Sequence, residues 1–157
     1  MHQIEFEILR PEDQRSLMLI ADWYVEEWQI PVETTQERLR AVTADRQQCQ
    51  VLMTLDGTPI ATGGIYDHVG LLERLPHFNV YKKWLALVYT RPSQRGRGYG
   101  AALCNYIHDY CRGLGFEKIH LFTHTAETLY RRLGWNELER MHIRDRNIVV
   151  MEKDLFL

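Results

Sequence analysis

The chain has 157 residues, of which 45% are hydrophobic and 25% are charged, and its formal net charge is −2. This length suits one domain around one core, and the balance of apolar and charged residues excludes a disordered chain. A net charge near zero provides no overall positive field toward nucleic acid or anionic lipid. We therefore expect a single domain over residues 1–157, with neither nucleic acid nor a membrane as its partner.

The lengths of the apolar runs indicate the cellular compartment, and the spacing of the cysteines indicates whether they form disulfides or bind zinc. The apolar runs are too short to cross a membrane, and the start MHQIEFEILR alternates charged and apolar residues instead of forming a signal-peptide core. These features predict a cytosolic protein. The three cysteines Cys49, Cys104 and Cys111 contain no C-x-x-C pair, which disfavours a disulfide framework or a zinc site. Cys104 and Cys111 are seven residues apart, so we expect both to pack on one face of a helix.

The first half of the chain predicts a strand, two helices and a hairpin. Residues 4–9 alternate apolar and acidic side chains, as a half-buried strand does. Pro11 suits the first turn of a helix that Pro31 ends, and Thr34-x-x-Glu37 is a capping-box pattern for a second helix. The apolar face of the first helix is formed by Leu17, Ile20, Ala21, Tyr24, Val25 and Trp28. Residues 50–55 and 59–66 then predict two strands joined at Asp56-Gly57.

The second half predicts a central strand, a helix and a closing set of strands. Residues 67–80 have weak periodicity and predict an irregular segment, whereas residues 84–90 form a nearly continuous apolar run. A helix follows and ends at Gly113 and Gly115. The predicted elements after it are a strand at 118–123, a short helix at 126–133 stopped by Gly134, and strands at 135–141 and 147–156. This order predicts one mixed α/β sheet flanked by helices.

The segment Arg95-Gly96-Arg97-Gly98-Tyr99-Gly100 lies between the predicted central strand and the helix after it. Its glycines permit positive φ and let the backbone approach a ligand closely. The helix presents unpaired N–H groups and a partial positive charge at its first turn, where phosphates bind. Arg91, Arg95 and Arg97 add full charges. The segment therefore predicts a site for a ligand that carries several phosphates.

Other kinds of glycine loop fit this segment less well. A Walker A loop needs Gly-Lys followed by Ser or Thr, and the segment has neither. A dinucleotide-binding loop normally opens its βαβ unit and has an acidic residue at the end of the second strand. Here the next predicted strand ends Phe122-Thr123-His124. A purely structural turn remains the alternative.

Two motifs together resemble the GNAT acetyltransferase superfamily. Arg-x-x-Gly-x-Gly after an apolar strand is similar to its acyl-CoA loop, and residues 126–135, AETLYRRLGW, resemble its Ala-x-x-Leu-Tyr-x-x-x-Gly-(Phe/Trp) stretch. The motifs stand in the family's order, and the resemblance covers most of the chain. The runs WLALVY and VVMEKDL are also similar to a bacterial subgroup of the superfamily. The resemblance implies a GNAT-like, mostly antiparallel central sheet.

The resemblance implies acetyl-CoA as the acyl donor. The seven histidines are scattered, with no His-x-x-x-His pair beside a carboxylate, so we expect no metal site. The backbone of Val88 and Thr90, on either side of Tyr89, would then pair with the pantetheine arm like an added strand. The N–H groups from Arg95 through Gly96, Arg97, Gly98 and Tyr99 to Gly100 would hold the pyrophosphate. Thr123 stands where many relatives place an asparagine that touches the pantetheine, so this contact departs from the family pattern.

The family's reaction is a direct attack of an amine on the thioester carbonyl. The resemblance makes Tyr130 the candidate acid that protonates, or hydrogen-bonds to, the leaving sulfur; the alternative is that Tyr130 only packs. The candidate bases are acidic or imidazole side chains in two segments, with Glu27 and Glu73 preferred over Glu26, Asp67 and His68. Each of these is otherwise a solvated charge, and a water chain in place of any base is the further alternative.

The acceptor is expected to be an amine of a small molecule or peptide. Trp23, Tyr24, Trp28, Tyr66 and Trp84 are able to wall its pocket, although most such aromatic residues belong to a core. Acidic and aromatic side chains together favour a cationic amine. The alternatives are an acyltransferase for a longer acyl-CoA and a CoA-binding module without turnover. A homodimer is possible because two-fold dimers are common among small enzymes.

Overall fold

A computed structural model describes residues 2–156. The strands are β1 (Ile4–Ile8), β2 (Cys49–Leu55), β3 (Thr58–Tyr66), β4 (Trp84–Thr90), β5 (Lys118–Thr123), β6 (Asn136–Ile143) and β7 (Arg146–Asp154). The helices are α1 (Gln14–Trp28), α2 (Val32–Ala44), α3 (Leu71–Arg74), α4 (Tyr99–Gly113) and α5 (Glu127–Arg132), with 3₁₀ turns at Pro76–Val80 and Pro92–Gln94. The predicted order of strands and longer helices is confirmed.

The strands form one seven-stranded sheet in the order β1-β2-β3-β4-β5-β7-β6. Antiparallel registers join β1 to β2, β5 to β7 and β6 to β7, whereas β4 and β5 pair in parallel with Trp84 opposite His120. The register of β6 and β7 shifts between Glu137 and Glu139, which marks a bulge. The prediction of a mixed, mostly antiparallel sheet flanked by helices is confirmed.

The chain divides into two compact units. The first contains the described residues up to Gly64 together with Leu87–Leu103. Its core cluster consists of Leu9, Ile20, Trp23, Tyr24, Leu39, Leu52 and Tyr89. The second contains Ile65–Ala86 and the described residues from Cys104 onward. Cys104 and Cys111 are fully buried there, which confirms that they pack inward from one helical face.

Three details of the predicted elements are wrong. Pro11 lies in a turn before α1, because the helix begins only at Gln14 after Asp13. Thr34 and Glu37 do not form a capping box: α2 begins at Val32, and the carbonyl of Pro31 accepts the N–H groups of Thr34 and Thr35. Proline has a fixed φ that suits a helix start, so Pro31 opens α2. Residues 67–80 contain α3 and a 3₁₀ turn where an irregular segment was expected.

Two tight turns connect antiparallel strands. Asp56 and Gly57 have φ of 50° and 84° and join β2 to β3, as their sequence predicts. Arg144 and Asp145, with φ of 49° and 62°, join β6 to β7, so both strands run closer to the turn than the pattern of apolar residues indicated. No helix within residues 2–156 combines the length and apolar character needed to span a membrane.

Gly134, just after α5, is the glycine whose replacement should cost most stability. Its φ is +92°, and an added Cβ would lie 2.8 Å from Lys153 Nζ, which donates to the Leu133 carbonyl. Because L-residues rarely adopt this φ, we expect Gly134→Ala to lower the free energy of unfolding by about 1–2 kcal/mol in urea titrations. Gly113→Ala is the control: Gly113 is the last residue of α4, and no atom that the structure describes elsewhere in the chain lies within 4 Å of an added Cβ, so stability should be equal or slightly higher. Equal losses in both variants would contradict this account.

Candidate functional site

The glycine loop has the geometry of an anion cradle. It lies between β4 and α4, and Gly96 and Gly98 have φ of +76° and +84°. α4 begins at Tyr99, so the unpaired N–H groups of its first turn adjoin the loop. Two left-handed residues next to a helix N-terminus can direct several backbone N–H groups toward one ligand.

The three arginines near the loop differ in whether they contact other protein groups. Arg95 donates from Nη2 to Glu27 Oε1 at 3.0 Å and from Nε to the Thr90 carbonyl at 2.7 Å, and its guanidinium lies 5.5 Å from the centre of the Tyr89 ring. Arg91 and Arg97 are exposed, and within residues 2–156 neither has an acidic partner within 4.0 Å. Arg95 therefore braces the end of β4, whereas Arg91 and Arg97 offer their charges to solvent.

The second half of β4 departs from regular strand geometry. Leu87 has φ of 55°, a left-handed conformation that is strained for a non-glycine residue. Its carbonyl accepts a hydrogen bond of 2.7 Å from the Tyr24 hydroxyl, which in turn accepts from Gln50. The kink just before Val88, Tyr89 and Thr90 is therefore fixed by a buried polar network.

Aromatic side chains from α1 pack beside this kink. Trp23 stacks on Tyr89 with ring centres 5.1 Å apart, and Trp28 meets Tyr89 edge-on at 6.3 Å. Tyr24, Tyr66 and Trp84 are buried, which confirms that most of the aromatic candidates belong to the core. Trp28 is 39% exposed, so it is the candidate with a free surface for an acceptor.

Tyr130 lies on α5 in a buried environment. It is 7% exposed, its ring meets Trp135 edge-on at 5.9 Å, and its hydroxyl is hydrogen-bonded to the Cys104 side chain. Burial, with smaller contributions from Cys104, raises the pKa of Tyr130, so the hydroxyl stays protonated at neutral pH. Burial likewise raises the pKa of Cys104 to about 12, so this thiol is not ionised.

A buried histidine supports Tyr130 through Trp135. Trp135 Nε1 donates to His108 Nε2 at 3.2 Å. Burial, helped by the charges of Lys153 and Arg112, lowers the pKa of His108 to about 4. The imidazole is therefore neutral and able to accept the indole proton at pH 7.

The two preferred base candidates have different surroundings. Glu27 is held by Arg95, as described above, whereas Glu73 is 76% exposed and lies 3.6 Å from His68. Thr123 Oγ1 accepts the N–H groups of Ala126 and Thr125 at 3.1 and 3.3 Å. The Thr123 oxygen therefore shapes the turn into α5, and its hydroxyl proton is left as a donor.

Sequence reasoning missed a pair formed by the buried His120 and the half-buried Glu152. His120 Nε2 and Glu152 Oε2 are 2.9 Å apart, and the two residues face each other across the antiparallel ladder of β5 and β7. Their separation of thirty-two residues leaves no local signal, and only the strand register brings them together. Among residues 2–156 no group of three or more potential ligands lies close enough to hold a metal ion.

Comparisons with known proteins match this geometry. The family model described as the acetyltransferase (GNAT) family matches residues 17–135, and the chain belongs to that family. Mouse (Mus musculus) N-alpha-acetyltransferase 80 is 33% identical over 89 residues, which cover 55% of this chain and 27% of the mouse protein. The chain therefore spans about a quarter of the length of that curated relative.

Solved structures of the same fold align over nearly the whole chain. An aminoglycoside 6'-N-acetyltransferase from Enterococcus faecium has a TM-score of 0.75 at 14% identity, with 98% of each chain covered. An aminoglycoside 6'-N-acetyltransferase complexed with coenzyme A has a TM-score of 0.76 at 13% identity, again with 98% of each chain covered. At these identities the matches establish the GNAT fold.

Proposed function

We propose that this chain transfers the acetyl group of acetyl-CoA to an amine of a small molecule or peptide by direct attack. The observation that carries the proposal is the loop between β4 and α4, where left-handed Gly96 and Gly98 adjoin a helix N-terminus. That arrangement suits a pyrophosphate, which is the charged part of coenzyme A. Membership of the acetyltransferase family supports the same donor.

The donor is proposed to lie along the irregular end of β4. The strained backbone at Leu87 redirects the strand, so the N–H and C=O groups of Val88, Tyr89 and Thr90 can pair with an amide-bearing arm. The backbone from Arg95 to Gly100 would hold the pyrophosphate, with Arg97 as an exposed charge beside it. The Thr123 hydroxyl is the proposed further donor to the pantetheine.

Tyr130 is the proposed acid. The attacking amine forms the new C–N bond, the C–S bond breaks, and the departing thiolate takes a proton or a hydrogen bond from the Tyr130 hydroxyl. Burial raises the pKa of the Tyr130 hydroxyl, so it stays protonated at neutral pH and has a hydrogen to offer to the developing thiolate.

Glu27 and Glu73 are the bases proposed from the sequence, and their contacts weigh against both. The Glu27 carboxylate neutralises Arg95, a contact that stabilises the loop entrance more directly than it serves proton removal. Glu73 is 76% exposed and lies 3.6 Å from His68, which are the surroundings of a solvated surface charge.

Relatives support an amine as the acceptor. The mouse protein is named as an N-alpha-acetyltransferase, and the solved neighbours as aminoglycoside N-acetyltransferases, so peptide and small-molecule amines both belong to the class. A longer acyl-CoA as donor and a CoA-binding module without turnover remain the competing proposals. We also propose one domain, a cytosolic location and a homodimer, which size-exclusion chromatography with light scattering can test.

Calorimetry and a thiol-release assay test the proposal. Titration with acetyl-CoA should show binding, and a panel of primary amines should release free thiol from acetyl-CoA faster than from butyryl-CoA. Preference for butyryl-CoA would favour the longer-chain alternative. Binding without thiol release for any amine would favour the non-catalytic module, and no binding at millimolar acetyl-CoA would refute the proposal.

Arg97→Glu is expected to raise the Kd for acetyl-CoA about tenfold at low ionic strength, because a charge reversal about 6 Å from a phosphate costs on the order of 1.4 kcal/mol in water. The effect should shrink in 1 M salt. Arg46→Glu, which changes the net charge identically at an exposed position after α2, is the control. Equal changes in both variants would mean that only the overall charge matters.

A further inference from the structure

His120 on β5 is a buried imidazole with one well-defined partner. Its side chain is 6% exposed, and its Nε2 lies 2.9 Å from Glu152 Oε2. The Tyr81 ring stacks on it, with ring centres 3.9 Å apart and planes 20° from parallel. Lys118 Nζ contacts the other Glu152 oxygen at 3.3 Å and lies 3.9 Å from Asp154. The imidazole is thus fixed in orientation by β5, β7 and the segment before β4.

The second ring nitrogen of His120 has no hydrogen-bond partner among residues 2–156. Nδ1 of His120 is buried and makes no hydrogen bond within the described residues, an unusual state for a polar atom in a folded protein. Burial tends to raise the pKa of Glu152, but hydrogen bonds from His120 and Lys118 outweigh it and lower the pKa. Glu152 is therefore a carboxylate that accepts the proton on Nε2. This assigns the proton to Nε2 and leaves a bare lone pair on Nδ1.

A neutral imidazole oriented by a carboxylate, with its other nitrogen unprotonated, is the arrangement of a general base. Burial lowers the pKa of His120, while Glu152 partly opposes this and Lys118 adds to it. The ring is consequently neutral at pH 7 and ready to take up a proton. Neither Glu27 nor Glu73 combines burial with an unused lone pair.

We propose that His120 accepts the proton of a cationic primary amine, with Glu152 as its positioning residue; this rests on the acetyl transfer proposed above. The ammonium group loses one proton to His120 Nδ1 through a bridging water, and the neutral amine attacks the thioester carbonyl. As the C–S bond breaks, the thiolate gains a proton from Tyr130, and the second proton of the nitrogen passes through water to the Tyr130 oxygen and restores its hydroxyl. His120 then releases its proton to solvent, so the products are an amide, free CoA thiol and one proton.

The surroundings of His120 suit the carbon part of such an amine. His120 lies opposite Trp84 where β4 and β5 pair in parallel. The backbone N–H of His120 donates to the Lys83 carbonyl at 2.9 Å. Two residues further, on the same face of β5, Phe122 is 36% exposed and meets Trp84 edge-on at 6.4 Å. Aromatic faces attract ammonium groups, so Phe122 and His120 together recognise a cation and then take its proton.

The first test reads the ring nitrogens and does not depend on turnover. In protein labelled with ¹⁵N-histidine, NMR at pH 7 should show His120 with a proton on Nε2 and none on Nδ1. The ring should stay neutral to a lower pH than a free histidine does. A proton on Nδ1, or a ring charged at pH 7, would overturn the proposal.

The second test measures catalysis in variants. His120→Gln, which keeps a donor for Glu152, should lower kcat at least tenfold, remove the acid limb of the kcat/KM profile and leave the Kd for acetyl-CoA unchanged. Glu152→Gln should lower kcat and move that limb to lower pH, because Glu152 raises the pKa of His120. His142→Gln is the matched control: His142 is exposed, and its Nδ1 lies 3.0 Å from Asn147 Oδ1.

The outcomes separate the two proposals. If the wild-type protein releases thiol with an amine and His120→Gln has the same kcat and acid limb, the role of His120 is refuted and the acetyltransferase function stands. If the wild type binds acetyl-CoA but no amine gives thiol release, the acetyltransferase function and the role that depends on it are both refuted.

Discussion

Tyr130→Phe is expected to lower kcat about 10²- to 10³-fold while leaving the Kd for acetyl-CoA unchanged. The variant removes one hydroxyl, and with it the proposed donor to the departing sulfur; a positioned proton donor contributes about 10²–10⁴ to a rate. The ring remains, so its edge-on contact with Trp135 at 5.9 Å and the packing of α5 are kept. Loss of rate without loss of affinity would therefore identify a role in the transition state.

Thiol release at saturating substrates and calorimetry with acetyl-CoA measure the two quantities. Tyr110→Phe, a half-buried tyrosine on α4, is the matched control and should keep the wild-type kcat. An unchanged kcat in Tyr130→Phe would remove Tyr130 from the mechanism and leave it a packing residue.

The pH dependence of the wild-type enzyme offers a second check on Tyr130. Because burial raises the pKa of this hydroxyl, it stays protonated across the range in which an ordinary tyrosine begins to ionise. We therefore expect that, below about pH 10, any fall of kcat with rising pH is the same in the wild type and in Tyr130→Phe. The neutral His108, which accepts from Trp135, keeps the support of the Tyr130 ring unchanged over the same range.

Periodicity in the sequence predicted most elements of the fold closely. The strand expected at residues 84–90 is β4 with the same bounds, and the strand at 118–123 is β5. Residues 84–90 form a nearly continuous apolar run, and residues 118–123 contain the apolar Ile119, Leu121 and Phe122. The predicted start of α2 was wrong because the chain has two start signals, Thr34-x-x-Glu37 and Pro31. The fixed φ of proline suits a helix start, and the helix begins after Pro31, three residues before the predicted position.

The candidate site shows what kind of residue a sequence can reveal. The glycines of the loop were evident because the positive φ of Gly96 and Gly98 depends on local residue type. The pairs Glu27–Arg95 and His120–Glu152 were not, because they join residues 68 and 32 positions apart. Their partners are set by helix placement and strand register, and an isolated histidine or glutamate gives no sign of either.

Gly98→Val is expected to raise the Kd for acetyl-CoA about 10²-fold. Gly98 has φ of +84°, which a β-branched residue adopts only with strain on the order of 1–3 kcal/mol. Among the described residues no atom lies within 4 Å of the position of an added Cβ, so the change acts through backbone conformation and not through a collision. A backbone that relaxes toward negative φ turns its N–H groups away from the pyrophosphate, and the cradle is lost.

Gly57→Val separates this effect from a general loss of stability. Gly57, in the turn between β2 and β3, has the same φ of +84°, and within residues 2–156 it likewise has no atom within 4 Å of an added Cβ. Both variants should therefore unfold at similarly lowered temperatures, whereas only Gly98→Val should lose affinity in calorimetry. Similar affinities for acetyl-CoA in the two variants would mean that the loop does not bind the phosphates. Loss of affinity in Gly98→Val alone would show that the backbone conformation of the loop, and not stability, determines donor binding.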